Sequence, residues 1–486
     1  MNEDSDWPQE RGAPDHAGSR AAPGAIPATL IEAGAVRFWL AVVLVGVGTG
    51  AAATALTLLL GVVQHLAWPG GGDLLDAAAR AGAWRHVGLL LLAGLVTGAG
   101  QLVLVSLPSG NSIDITTAIW FSAGRLPALR TLGSAALSIV IVGLGASLGR
   151  EGAPKQAGAV VANAVSDRAR FSDEQRRLLV ACGAGAGMAA AYGVPLGGTL
   201  FALEVLRGAL ALRLVLPVLL ACLIATAVSW LALPDTPAYP VPEYAGSASL
   251  IAWALLAGPV AGLVSVGFVR AVSWTDRSRP RGWARLVAPT VALGVIGVVS
   301  IRYPQILGNG KDVSVLALTG QAAPSLLLAL LVLKPAATLL CLACGAPGGL
   351  FTPSLTLGAM LGGVLGAAWS WAWPGVPMGA FAVVGAAAVL AATTQGPISA
   401  VVLMMELTGR DRSAVVPMLL AVATATLVSR SVEPRSIYDA RLSDAEVAAR
   451  LVSRERSATG AVVEASKVEA LPQTPPKARL WNPLLK

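Results

Sequence analysis

The sequence predicts an all-α polytopic membrane protein built from two related halves. The 486 residues are 55% hydrophobic and only 13% charged, with a mean hydropathy of +0.69. From Val36 to about Ser431, apolar stretches approaching bilayer-crossing length follow one another, a pattern foreign to a large water-soluble enzyme. The run from Gly183 to Pro195 also superposes without a gap on the run from Gly385 to Pro397, and the same displacement of 202 residues carries Glu204 onto Glu406. Homologous halves imply a site at their interface, near the bilayer midplane.

Residues 1–33 are rich in Pro, Ala, Gly and charge and read as a flexible cytoplasmic tail, without the apolar core of a cleaved signal. Residues 34–442 form the membrane domain, its two inverted repeats spanning about 34–232 and 248–442. Many of its apolar segments are short or broken by Gly and Pro, so tilted, partial and re-entrant helices are expected. Ser172-Asp173-Glu174-Gln175 resembles a capping box and predicts a helix start before Leu178. Residues 443–486 are a short cytoplasmic tail, helix-prone from Ser443 to Arg456 and too short for a regulatory domain of ordinary size.

The net charge of +8 does not predict a nucleic-acid partner. The basic residues fall into loop groups, Arg168, Arg170, Arg176 and Arg177, then Arg270, Arg277, Arg279, Arg281 and Arg285, which read as cytoplasmic loops. Cys341 and Cys344 have a C-x-x-C spacing but lie in an apolar run without a second ligand pair. With Cys182 and Cys222 they read as small buried residues, so neither a metal nor a cofactor is expected. His16, His65 and His86 lie far from any constellation of acid and nucleophile. An intramembrane enzyme would need such a set, so the chain does not read as an enzyme.

The chemistry concentrates at Gly149-Arg150-Glu151-Gly152-Ala153-Pro154, a charged island between the apolar stretches Ala135 to Leu148 and Ala157 to Val165. An ionisable pair there marks a site unless Arg150 and Glu151 pair with each other or lie in an interfacial loop. Pro154 suits the first turn of a helix, whose unpaired N–H groups attract an anion. Glu151 is placed to act as a built-in anion at the same spot. The second half offers Gly345-Ala346-Pro347-Gly348-Gly349-Leu350-Phe351-Thr352-Pro353, where the Leu350 and Phe351 N–H groups could face an ion while the Phe351 ring lines its path. Two such helix starts make a two-sided anion cradle. A carrier of cations would instead present converging carboxylates.

These motifs resemble the CLC family of chloride channels and proton-coupled chloride exchangers, of the prokaryotic type without CBS domains. Gly149-Arg150-Glu151-Gly152 is similar to the family's gating motif and Gly349-Leu350-Phe351-Thr352-Pro353 to its second anion-binding motif. Pro195-Leu196-Gly197-Gly198 and Ser436-Ile437-Tyr438 agree in order and spacing, and the resemblance covers Val36 to Leu442. It implies a homodimer in the lipid bilayer with one ion pathway per subunit, carrying chloride or a similar small anion, with protons as a second partner in an exchanger. Glu151 would be the voltage- or pH-sensitive gate. Arg150, Gly152, Gly349, Leu350 and Phe351 would surround the anion, and the Tyr438 hydroxyl would close its inner side, unless Tyr438 is an interfacial anchor.

Three departures matter. In Pro108-Ser109-Gly110-Asn111-Ser112-Ile113-Asp114, matching the Ser-Gly pair selects Ser109 as the anion-binding serine, whereas matching the acidic residue selects Gly110. Nitrate and fluoride therefore stay open beside chloride. At the inner proton position of exchangers stands Val205, which cannot carry a proton, so the resemblance leans toward a passive channel, with exchange as the alternative. Finally, Lys155 stands where the family usually has an apolar residue. At i+4 from Glu151 it is expected to pair with that carboxylate and modulate the gate, or to meet another polar group, or to reach into a water-filled vestibule. Glu204 and Glu406 read as carboxylates that cap loops or bind backbone amides, and Lys334 beside Pro335 as a helix-end charge. The Arg-, Ala- and Gly-rich composition predicts a multi-pass protein of a bacterial inner membrane with both termini cytoplasmic.

Overall fold

The computed structural model describes residues 26–27, 31–32, 34–107, 113–409, 414–440, 442 and 444–458, with side chains as far as Val452. Among these residues the chain is helical without strands, as its hydropathy predicts. Seven of the described helices are long and apolar enough to cross a membrane: Ala35–Ala67, Ala83–Ser106, Leu212–Ser229, Ala248–Arg277, Pro324–Ala343, Phe351–Ala372 and Val415–Val432. Shorter apolar helices such as Ala128–Gly143 and Met378–Thr394 lie between them, so much of the domain consists of partial spans. Large apolar side chains such as Leu95, Val103, Leu263 and Leu427 remain exposed on the helices, as a lipid-facing surface requires.

The repeat seen in the sequence is a repeat of structure. Helices Asp173–Tyr192 and Met378–Thr394 both end on a left-handed residue, Gly193 (φ 69°) and Gln395 (φ 59°). Each is followed by a proline in the first turn of the next helix, Pro195 and Pro397. Gln395 holds a conformation that glycine adopts more easily. Its side-chain amide donates to the Ala392 carbonyl and the Ser429 hydroxyl at 2.9 and 3.1 Å, which fixes the turn. The predicted capping box is formed, with Ser172 Oγ accepting from the Gln175 N–H and Gln175 Oε1 from the Ser172 N–H, both at 3.3 Å.

Close helix crossing is achieved twice in the same way. At Gly158 and Gly183 each backbone carbonyl occupies the space a Cβ of the other would need, and Gly358 and Gly385 repeat the arrangement in the second half. Small residues let these backbones touch, which is how helices pack where no hydrophobic force separates protein from lipid. The helices so joined, Gly152–Arg168 to Asp173–Tyr192 and Phe351–Ala372 to Met378–Thr394, form the buried centre.

Lys334 departs from expectation. It lies within the helix Pro324–Ala343, fully buried, and its ammonium donates to the carbonyls of Ile306, Leu307 and Gly308 at 2.8, 3.0 and 2.9 Å. Three converging carbonyls make the interior tolerable for a charge that sequence reading placed at a helix end. All four cysteines are buried and free.

Candidate functional site: a carboxylate at the crossing of two helix starts

The two glycine motifs meet at the centre. Gly149 donates to the Gly349 carbonyl at 2.9 Å and Gly349 donates back to Gly149 at 2.8 Å, an antiparallel pair joining the halves. From this crossing depart the helices Gly152–Arg168 and Phe351–Ala372. A side chain at either glycine would overlap the Glu151 carboxyl group, so both must be glycine for the acid to lie where it does.

Glu151 precedes the first of these helices but does not cap it. Its fully buried carboxylate crosses to the other: Oε1 accepts from the Phe351 N–H at 2.6 Å and Oε2 from the Thr352 hydroxyl at 3.0 Å. The Tyr192 hydroxyl adds a donor to Oε2 at 3.4 Å and lies 2.9 Å from the Thr352 hydroxyl. Helix-terminal N–H groups have no partner in their own helix, so a carboxylate here occupies a position suited to any small anion.

Arg150 and Glu151 do not pair. The Arg150 guanidinium lies over the Tyr192 ring, 4.7 Å from its centroid, and donates to the Ala191 carbonyl at 3.3 Å. Tyr192 thus presents its face to the cation and its hydroxyl to the carboxylate. Arg150 lines a cavity of about 320 Å³ together with His65, Asp73, Asn309, Lys311 and Asp312. Gly152, Lys155, Gly349, Leu350, Asp114 and Tyr438 line a second cavity of about 110 Å³. Glu151 lines neither cavity, but its chain neighbours do, Arg150 the first and Gly152 the second.

Leu350 precedes the Phe351 helix and faces the second cavity. Phe351 is fully buried, and its ring stands 6.2 Å from that of Tyr192. Of the alternatives open for Lys155, the pair with Glu151 is not made and the contact with another polar group is. Its ammonium reaches the Tyr438 hydroxyl at 3.4 Å and lies 4.9 Å from the Phe201 ring centroid. The reason is the helix start: the Glu151 side chain leaves toward Phe351, away from the direction that i+4 spacing would share. Val205 is buried in a π-helical turn, Phe201–Arg207. Its carbonyl accepts from the Arg450 guanidinium at 2.6 Å, and Arg450 also pairs with Asp439 beside Tyr438. Ser109 and Gly110 lie outside the described residues. Asp114, just after them, caps the helix Ile115–Phe121 by accepting from the Thr117 N–H at 3.0 Å.

Sequence reading missed Tyr192 and Thr352. Both lay inside the quoted motifs, Tyr192 as the one aromatic residue in the small-residue run and Thr352 beside Phe351, but nothing in either run showed that the two would meet on one carboxylate. Glu204 and Glu406 are amide-binding carboxylates, as expected. Glu204 accepts from the N–H groups of Ile398 and Ser399 at 3.2 and 2.6 Å, and Glu406 from those of Leu196 and Gly197 at 3.0 and 2.6 Å.

A model of the family described as voltage gated chloride channel matches residues 109–430, the stretch that contains both helix starts. The chain belongs to that family. It is 33% identical over 393 residues to a putative chloride channel protein ClcB-like of Ralstonia nicotianae, covering 76% of this chain and 89% of the relative. It is 30% identical over 344 residues to an H(+)/Cl(-) exchange transporter ClcA of Yersinia pseudotuberculosis, covering 68% of this chain and 71% of the relative. Among solved structures, a slow cyanobacterial Cl-/H+ antiporter superposes with a TM-score of 0.71 at 22% identity, over 86% of this chain and 99% of that one. This family member therefore has the CLC fold, with Glu151 at its central crossing.

Proposed function

We propose that this family member exchanges chloride for protons across the membrane, as a homodimer with one pathway per subunit. The observation that carries this reading is the fully buried Glu151 carboxylate, which takes the Phe351 N–H at 2.6 Å while its chain neighbours Arg150 and Gly152 each line a cavity. An anion entering that position must displace the carboxylate, and a proton taken up by the carboxylate weakens its hold there. Occupancy by anion and proton is thereby linked. Arg150 and Lys311 bring positive charge to one cavity, and Lys155 and Tyr438 donors to the other.

The lean toward a passive channel, drawn from Val205, gives way on this reading. Relatives named H(+)/Cl(-) exchange transporters match at 30% and 31% identity, and a buried carboxylate on the anion position suits exchange better than free conduction. Since Val205 carries no proton, protons reach Glu151 from that side through water in the Lys155 cavity. In purified protein reconstituted into liposomes, chloride and proton fluxes recorded together should show stoichiometric countermovement, with the proton component lost in Glu151→Ala. Chloride efflux without protons would restore the channel reading. Absence of chloride flux, followed by flux of fluoride or nitrate, would reassign the anion.

A further inference from the structure

Lys155 is a buried ammonium without a carboxylate partner among the described residues. Only 5% of the residue is exposed, and that surface faces the 110 Å³ cavity. Its hydrogen bond goes to the Tyr438 hydroxyl, and its ammonium lies 4.6 and 4.9 Å from the Tyr438 and Phe201 ring centroids. Glu151 and Asp114 are the carboxylates whose charge reaches it, neither within ion-pairing distance of 4.0 Å. Two aromatic faces and one hydroxyl compensate only part of the desolvation of an ammonium. The cavity that Lys155 lines has space for several waters or a small ion.

We propose that Lys155 is a cationic ligand for the transported anion, holding a small monovalent anion in this cavity against the Tyr438 hydroxyl. Because the Tyr438 oxygen accepts from Lys155, its own proton is available to the same anion, so two donors converge on one volume. Gly348, Gly349 and Leu350 line the same cavity. The other charges on the cavity do not replace Lys155. Arg279 is paired with Asp276 at 2.8 Å, and Asp114 is engaged in its helix cap at Thr117. A single ammonium matches the charge of a monovalent anion and leaves a divalent one half neutralised. The proposal rests on the anion-transport reading above and adds to it the residue that sets affinity on this side of Glu151.

The test is calorimetric titration of the detergent-solubilised protein with sodium chloride, with sodium gluconate as the blank. Lys155→Met should weaken chloride binding about tenfold or more, the range for losing a charged hydrogen bond, while dimer elution and melting temperature hold. Lys155→Arg should stay within a few-fold of wild type. In a Tyr438→Phe background Lys155→Met should still weaken binding, which a role limited to positioning Tyr438 would not produce. Should Lys155→Met fail to fold, Lys155→Gln gives the same reading with a neutral polar side chain. Unchanged chloride affinity in a folded, neutral Lys155 variant overturns the proposal while leaving transport intact. Absence of flux of chloride, nitrate and fluoride in the wild type would instead remove the transport reading itself.

Discussion

The Glu151 carboxylate and the Phe351 backbone N–H, 200 residues apart, are joined by a hydrogen bond of 2.6 Å. The acid precedes one helix and satisfies the start of another, so a carboxylate of one half caps a helix of the other. A helix N-terminus favours negative charge, by up to about 2 kcal/mol in buried geometry. Glu151→Gln retains the size and removes the charge. Anion efflux should then lose most of its dependence on pH, whereas wild-type efflux should rise as acidification neutralises the carboxylate. Parallel pH profiles for the two proteins would sink the gate assignment.

Tyr192 holds the same carboxylate from the side. Tyr192→Phe keeps the ring beneath Arg150 and removes the hydroxyl bonded to Glu151 and Thr352. A net hydrogen bond contributes about 1 kcal/mol, roughly fivefold in an equilibrium. The pH profile of efflux in Tyr192→Phe should shift toward neutrality by a corresponding amount, with flux at the acid plateau unchanged. A lower plateau with an unmoved profile would assign Tyr192 to the permeation path rather than to the gate.

Both helix starts were legible in the sequence because glycine, proline and isolated charge are local signals. Glu151, Phe351 and the reciprocal glutamates could be chosen from motif and repeat alone. Partnership was not legible. Whether Arg150 pairs with Glu151 depends on Tyr192 lying between them, and whether Lys155 meets Glu151 or Tyr438 depends on a chain segment 283 residues away. Helical periodicity fixes which residues share a face only within a regular helix, and Glu151 stands just before one. Lys334 was misplaced for the same reason, since its three carbonyl acceptors belong to the segment Ile306 to Gly308.

Those carbonyls make Lys334 a structural ammonium. In Lys334→Met the charge is removed but three buried carbonyls lose their donor, at about 1–3 kcal/mol for each left unsatisfied. The melting temperature of the purified protein should fall by several degrees. Lys334→Arg should not rescue it, because a planar fork does not match three acceptors converging on one point. Full stability in Lys334→Met would mean that water replaces the ammonium and that the cradle is not structural.

Glu204 and Glu406 test whether the repeat-related acids are structural or belong to proton transfer. Each reaches the start of the other half's proline-led helix: Glu204 holds Ile398 and Ser399, and Glu406 holds Leu196 and Gly197. In both, two carboxylate oxygens accept from two successive N–H groups. A glutamine retains one acceptor but sets its NH₂ against the second N–H. Glu204→Gln and Glu406→Gln should therefore each lose about 1–2 kcal/mol of stability. The double variant should depart from the sum, since the two caps fasten one pair of adjoining helices. The ratio of chloride to protons moved should be unchanged in all three. If Glu204→Gln alters that ratio at unchanged melting temperature, the acid beside Val205 carries protons, and its symmetry with Glu406 is only that of position.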